Sequence, residues 1–381
     1  MTKPEILAED SQSIFILAGE ESADNHGAKL MQAILDKRED IQFIGIGGEK
    51  MIQKGLSSLV PMNNLAVMGF VEVLKHLPFF RQLTHEILTE IEKESPCHIV
   101  LIDYPGFNLR LAKKLKERFK IPITYYISPQ LWAWKENRVK TIRKYIDQML
   151  VIFPFEENWY HERGVKASFT GHPIFDEYVP TEKEELCKKL NLDCTQPIIT
   201  LYPGSRQQEV DQHLPTLIQA AQKLSQHNNN LQFVLGAATQ INLKKWILPK
   251  WVKVETQHPQ LALEVADLAI VASGTSTVEA AVFRTPMIII YRMAALSWWL
   301  STLLVKVPFA GMVNIIAGKK IMPELLQNNF TVDQVVKKAE EILSNPDKLK
   351  EMQSELEKVS NTLKGNGASQ NAAEKILEYK S

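Results

Sequence analysis

Short, continuous apolar runs, each followed by a small polar turn and an amphipathic helix, recur along this chain and restrict the folds open to it. The plainest case is ADLAIVASGTSTVEAAVFRTPMIIIYRM, residues 266 to 293. Residues 268 to 272 and 286 to 290 are apolar without alternation, the pattern of strands buried on both faces of a parallel sheet. Between them Ser273, Gly274, Thr275 and Ser276 open a helix with hydroxyls that can cap free amides, and Val278, Ala281 and Val282 form its apolar face. A strand, a tight turn and a helix N-terminus together aim backbone N–H groups outward at the carboxyl end of a sheet, where α/β proteins bind anions. A phosphate is the expected occupant. Glu279, one turn in, would repel phosphate and suits ribose hydroxyls better. The stretch also reads as a well-capped helix in an ordinary βαβ unit.

Similar runs stand at residues 13 to 18, 41 to 46, 98 to 102, 122 to 127, 148 to 153 and 167 to 170. After Gly171, His172 and Pro173 the alternation restarts, with runs at 198 to 202, 231 to 235 and 251 to 255 and helices near 239 to 247 and 259 to 266. At 381 residues the chain exceeds what one core usually organises. The expectation is an α/β protein with two Rossmann-like domains facing a central cleft, residues 1–175 and 176–345. Charged helices over 346–381 would pack across the domains or onto a partner subunit.

Composition narrows the function. The 44 basic and 44 acidic residues cancel, which argues against a general nucleic-acid binder. Trp132 and Trp134 beside Lys135 and Arg138 suit a sugar platform or a solvated helix face better than nucleic-acid stacking. Cys97, Cys187 and Cys194 are odd in number and lack CxxC spacing, so neither a disulfide framework nor a structural metal site is expected. A reducing cytoplasm is the simplest home. The polar opening MTKPEILAEDSQ is neither a signal nor a transit peptide, and the apolar stretch 286 to 307 is broken by Arg292.

Polar residues at strand ends suggest a site. In GEESADNHGA, Gly19 permits a tight turn and Ser22 or Asp24 can cap the helix. Glycines are too sparse there for a dinucleotide fingerprint, and Glu20 and Glu21 make the loop a sugar contact rather than a phosphate cradle. Asp103 ends an apolar run and reads either as a general base or hydroxyl ligand facing the ligand crevice or as a turn residue or helix cap ahead of Pro105; Asn108, a ready cap for a helix from near Leu109, weakens the second reading. An ordinary aspartate pKa of about 3.9 would leave Asp103 ionised at neutral pH and weakly basic. Gly204 and Ser205 start a later helix with Arg206 in its first turn, where a cation opposes the dipole unless it faces an anion. Val67, Phe70, Val71, Val73, Leu74, Leu77, Phe79 and Phe80 exceed what one surface helix face needs. They form either a buried helix or, rimmed by Lys75, His76 and Arg81, a face for an anionic bilayer or acyl chains. No DxD occurs, so departing negative charge falls to Arg206 and the amides from Ser273 rather than to a metal.

Nine segments in order, GEESADNHGA, VMGFVEVL, DYPGFNLRLA, YYISPQLWAWKENRVKTI, TGHP, PGSRQQEV, SGTSTVEAA, YRM and VNIIAGKKIMPELLQ, resemble the lipid-A-disaccharide synthase family across nearly the whole chain. The resemblance implies a glycosyltransferase B architecture. It further implies transfer of a diacylated glucosamine from its UDP donor to 2,3-diacylglucosamine 1-phosphate, with inversion, no covalent intermediate and no cofactor. On that resemblance Asp103 deprotonates or orients the acceptor 6-hydroxyl, while Glu20, Ser22, Met68 and Gly69 contact the sugar and acceptor. Ser205, Arg206, Ser273, Gly274, Thr275 and Ser276 hold the diphosphate, Glu279 the ribose, and Asn314, expected on a loop, adds to the nucleotide site. Lipid contact becomes the better reading for Phe70, Val71, Leu74, Leu77, Phe79 and Phe80. The family also implies a homodimer with exchanged C-terminal segments, peripheral on the cytoplasmic face of the inner membrane. Ala23, where the family often has glycine, and Gly106, where it often has a second acid, depart from the pattern. A UDP-sugar 2-epimerase, a muramyl-lipid N-acetylglucosaminyltransferase and an idle lipid-binding protein are the alternatives; intact Asp103, Arg206 and Glu279 argue against idleness.

Overall fold

Among the described residues of the computed structural model every strand pairing is parallel, and the strands form two sheets. The structure describes residues 12–62, 77–176, 178–294, 307–365 and 367–379. Met68, Gly69, Phe70, Val71, Leu74 and the Leu77 side chain lie outside that description.

The first sheet contains β1 (Ser13–Ala18), β2 (Gln42–Ile46), β3 (Leu56–Ser58), β4 (His98–Ile102), β5 (Ile123–Tyr126), β6 (Gln148–Val151) and β7 (Ala167–Phe169). Its order is β3-β2-β1-β4-β5-β6-β7. The second contains β8 (Ile198–Tyr202), β9 (Gln232–Gly236), β10 (Val252–Glu255), β11 (Leu268–Ala272), β12 (Met287–Tyr291) and β13 (Glu324–Leu326), in the order β10-β9-β8-β11-β12-β13. Each order reverses once, between β1 and β4 in the first sheet and between β8 and β11 in the second. Such switch points leave a crevice at the strands' carboxyl ends, because successive crossover helices there go to opposite faces.

The central strands are buried on both faces, which is why they read as unbroken apolar runs. β3 and β13 have three residues each and carry no period to read. The helix expected at 239 to 247 is only a short 3-10 turn, Leu243–Lys245.

Two compact units result, Met1–Glu177 with Lys364–Ser381 and Tyr178–Leu363. The charged stretch 346–381 is divided between them. The helix Pro346–Lys364 is ion-paired within the second unit, through Arg284 to Glu357 at 3.1 Å and Lys319 to Glu355 at 2.6 Å. The last helix, Ala368–Leu377, buries Ala372, Ala373 and Ile376 against the first unit's core. Its N-terminal amides, Ala368 at 2.8 Å and Ser369 at 3.0 Å, donate to the Asp176 carboxylate.

Two expectations need correction here. Phe80 is 8% exposed and packs against Phe107 at 5.3 Å, on the face of the helix Leu77–Glu94 that also buries Leu83, Ile87 and Ile91. That i, i+3, i+7 spacing turns Phe80 into the core, so it is no lipid contact; Phe79 is half-buried beside it. Cys187 and Cys194, expected to stay unpaired, are joined by a disulfide within the second unit, their Cα atoms 5.8 Å apart. One turn of helix and a short return loop bring the sulfurs together, a closeness that CxxC counting does not register.

Candidate functional site

In the first unit the loops after β1 and β4 meet at the switch point. Gly19 ends β1 with the Tyr104 ring against it: a Cβ there would lie 2.7 Å from the ring, so only glycine admits this approach. Glu20 follows as the N-cap position of the helix Glu21–Leu35, without a side-chain cap. Neither Ser22 nor Asp24 caps that helix. The Ser22 hydroxyl donates to Glu20 at 3.0 Å. The buried Asp24 carboxylate instead accepts from the backbone N–H groups of Gly48 (2.7 Å), Lys50 (3.1 Å) and Met51 (3.1 Å), capping the helix Glu49–Gln53.

Asp103, directly after β4, is half-buried, with Glu20 beside its carboxyl group. Burial first, and the like charge of Glu20 second, push its pKa up from 3.8 to about 7. The ordinary aspartate expected from sequence is therefore replaced by a carboxyl that titrates near neutrality. The following helix, Pro105–Arg118, starts earlier than Leu109, and Asn108 does not cap it; the Asn108 amide turns back onto the strand end.

Sequence reasoning missed Glu156, which is fully buried. Its carboxylate accepts from the Trp132 indole N–H at 2.8 Å and from the Phe153 N–H at 3.2 Å, tying the segment after β5 to the helix Pro154–His161. Burial pushes Glu156 up to about 7. Trp132 is thus a buried anchor, while Trp134 is exposed under Lys135, whose ammonium lies 4.1 Å from the ring centre. An indole donor and an acid 24 positions apart leave no pattern along a chain.

In the second unit the loops after β8 and β11 flank the other switch point. Arg206 is the N-cap residue of the helix Gln207–His227 rather than a first-turn residue. Its side chain is 79% exposed and its guanidinium meets Glu209 at 3.2 Å. Ser205 before it is exposed. Gly274 has φ +151° and a Cβ on it would meet nothing, so glycine serves the backbone conformation and leaves open space. The expected hydroxyl caps are absent: Ser273 donates to the Ala310 carbonyl at 2.7 Å and Thr277 to the Gly274 carbonyl at 2.8 Å. Thr275 precedes the helix Ser276–Val282 without a side-chain cap, so its first amides are not occupied that way. Glu279 is half-buried, has no side-chain hydrogen-bond partner among the described residues, and is pushed up by burial. A desolvated acceptor of that kind is suited to ligand hydroxyls.

Asn314 lies in the helix Met312–Ala317, not on a loop, and is fully buried. Its Oδ1 accepts from Ile321 and Met322 N–H, both at 2.9 Å, and its Nδ2 donates to the Met322 carbonyl at 2.9 Å and to Glu324 at 2.8 Å. Its hydrogen-bonding capacity is used inside the unit, which leaves nothing for a ligand. Glu324 also accepts from Ala310 N–H at 3.1 Å and Gly311 N–H at 2.9 Å, so Asn314 braces the loop on which Ser273 leans. His213, also missed, joins two strand-tip loops: its Nδ1 bonds the Pro203 carbonyl at 2.7 Å and its Nε2 accepts from Arg292 N–H at 3.0 Å.

Known proteins are similar to this chain in fold and, in other cases, in sequence. The solved structure of a putative UDP-N-acetylglucosamine 2-epimerase from Listeria monocytogenes superposes with a TM-score of 0.65 at 11% identity, covering 98% of each chain. The calicheamicin glycosyltransferase CalG4 does so with 0.62 at 11%, covering 97% of this chain and 98% of that one. At such identity they show the fold alone, the two-domain plan of glycosyltransferase B proteins. A lipid-A-disaccharide synthase from Koribacter versatilis is 39% identical over 367 residues, 95% of this chain and 96% of that protein. The family described as lipid-A-disaccharide synthetase matches residues 14–378. With that match running from the first strand past the end of the last helix, the chain belongs to the lipid-A-disaccharide synthase family.

Proposed function

We propose that this glycosyltransferase of lipid A biosynthesis joins UDP-2,3-diacylglucosamine to 2,3-diacylglucosamine 1-phosphate, releasing UDP. The acceptor 6-hydroxyl oxygen attacks the donor's anomeric carbon, the bond from that carbon to the diphosphate oxygen breaks, and Asp103 takes the hydroxyl proton. One displacement inverts the anomeric centre without a covalent enzyme intermediate. The observation that carries this reading is the Asp103 carboxyl at a strand-tip switch point, held beside Glu20 and raised to about 7. A base whose pKa lies near the working pH is ionised often enough to act and still basic enough to accept a proton. Glu20 and Ser22 bind the acceptor sugar. In the second unit Ser205, Arg206 and the turn Ser273–Ser276 hold the diphosphate, and Glu279 accepts from the ribose. Asn314 supports that turn through Glu324 and Ala310 instead of touching the nucleotide.

No described helix is long and apolar enough to cross a membrane. The acylated substrates and the apolar stretch from Val67 to Leu77 support attachment to a bilayer surface, on the cytoplasmic side where UDP-sugars are made. The family supports a homodimer. The deciding experiment measures UDP release from the diacylated UDP-sugar with and without the acylated acceptor, for the intact protein and for Asp103→Asn. Acceptor-dependent release, a disaccharide product and a large loss in the variant are expected. Folded intact protein that released no UDP across several acyl lengths would end the assignment, and a fully active variant would move the base elsewhere.

A further inference from the structure

Asp103 sits in a backbone conformation that L-residues seldom adopt, and it shares it with its neighbour. Asp103 and Tyr104 have φ of 43° and 48°. Two consecutive left-handed residues that are not glycine carry strain, which persists only where the surroundings over-determine it. Two side chains do so here. The Tyr125 hydroxyl donates to the Asp103 carbonyl. Nδ2 of Asn108 donates to the same carbonyl at 2.8 Å and to the Ile102 carbonyl at 3.2 Å. Asp103 N–H completes the clamp by donating to the Tyr126 carbonyl at 3.0 Å.

Both side chains are fully buried. Oδ1 of Asn108 has no hydrogen-bond partner among the described residues, so this amide is desolvated for the sake of its donor end alone. An aliphatic residue would fill the space without that cost, but would take the amide donor from the Ile102 carbonyl and leave the Asp103 carbonyl held by Tyr125 alone. Tyr125 is equally confined to donation, because burial strongly disfavours its ionised form. The carbonyl is therefore gripped from two elements, the strand β5 and the helix Pro105–Arg118. With the carbonyl gripped and φ held positive, the direction of the Asp103 Cα–Cβ bond follows, because chirality ties the side chain to the backbone.

We propose that Asn108 and Tyr125 are positioning residues of the transferase, holding the Asp103–Tyr104 turn left-handed so that the Asp103 carboxyl stays beside Glu20 and toward the acceptor hydroxyl. The inference rests on the reading of Asp103 as the base. Neither residue touches substrate; each acts through Asp103.

The test is a double-mutant cycle on the full-length enzyme, followed by initial rates of acceptor-dependent UDP release and by calorimetric UDP binding. Tyr125→Phe and Asn108→Ala each lower kcat about tenfold or more with the UDP Kd unchanged. In an Asp103→Asn background the same two changes cost less than about twofold, because the group they position is already gone. Tyr125→Phe removes a single hydroxyl and carries the cycle alone if Asn108→Ala does not fold. Losses that multiply fully in the Asp103→Asn background, or Tyr125→Phe with intact kcat, overturn the positioning role. An Asp103→Asn enzyme with full activity instead removes the base reading itself, so the two failures are told apart.

Discussion

Replacing Asp103 by asparagine is expected to lower turnover sharply and, at the alkaline end of the pH range, to stabilise the protein. Burial and Glu20 raise the Asp103 carboxyl from 3.8 to about 7. Each pKa unit is worth about 1.4 kcal/mol, so three units put a ceiling of about 4 kcal/mol on what the ionised group costs the fold. The folded carboxyl keeps its proton to higher pH than the unfolded one. Between about pH 4 and pH 7 the folded state consequently binds more protons, and wild-type stability falls as pH rises through that window. Asparagine does not titrate, so the advantage of the variant is near zero at about pH 4 and complete above about pH 7. Glu156 contributes over the same window, and His98 and His172, whose pKa values burial lowers from 6.5 to about 4 and about 3, contribute over a window that overlaps it, but these contributions cancel when variant and wild type are compared at one pH. Urea titrations followed by tryptophan fluorescence at pH 5, 6, 7 and 8 give the measurement. For a unit of about 200 residues each kcal/mol moves Tm by about 2–4 °C, so melting at pH 8 would show a shift of at most about 8–16 °C. Equal stability of the two proteins at pH 8, or the same gap at pH 5 as at pH 8, would refute the claim that this carboxyl is desolvated. The same titration predicts that wild-type kcat/KM climbs to a plateau as pH rises through about 7, since Asp103 as the proposed base acts ionised.

Glu279→Gln removes the charge from the proposed ribose acceptor, and a hydrogen bond to a charged group is worth about 1.5–3 kcal/mol. UDP affinity by calorimetry should fall tenfold to about a hundredfold with the acceptor KM unchanged; unaltered UDP binding would take Glu279 out of the site. Phe80→Ala leaves a cavity beside Phe107 and should cost about 3–5 kcal/mol of stability, with sedimentation on anionic vesicles unaffected. Normal stability with selective loss of vesicle binding would return the ring to the lipid face.

The strands could be read with little error because burial on both faces writes itself along the chain: LAIVA at β11, IITLY at β8 and HIVLI at β4 are apolar from end to end. Asp103 was visible for the same reason, as the first polar residue after such a run. Helix starts were less legible. Serines and threonines around residue 275 favour caps, yet Ser273 found the Ala310 carbonyl and Thr277 the Gly274 carbonyl once the turn had folded. Asn108 and Asn314 suit caps and ligand contacts, but each donates to carbonyls brought close by packing. His213 bonds a backbone group 79 positions away, and nothing in residue order announces such a pair.

Residue order thus establishes two parallel α/β units and the loops that sit at their strand tips, because hydrophobic period and turn chemistry are local signals. Three-dimensional packing set the rest: the near-neutral pKa of Asp103, the inward turn of Phe80, and the change of Asn314 from ligand to brace. Desolvation and hydrogen-bond partnership depend on which atoms come within a few ångströms of each other, and only the folded chain specifies that.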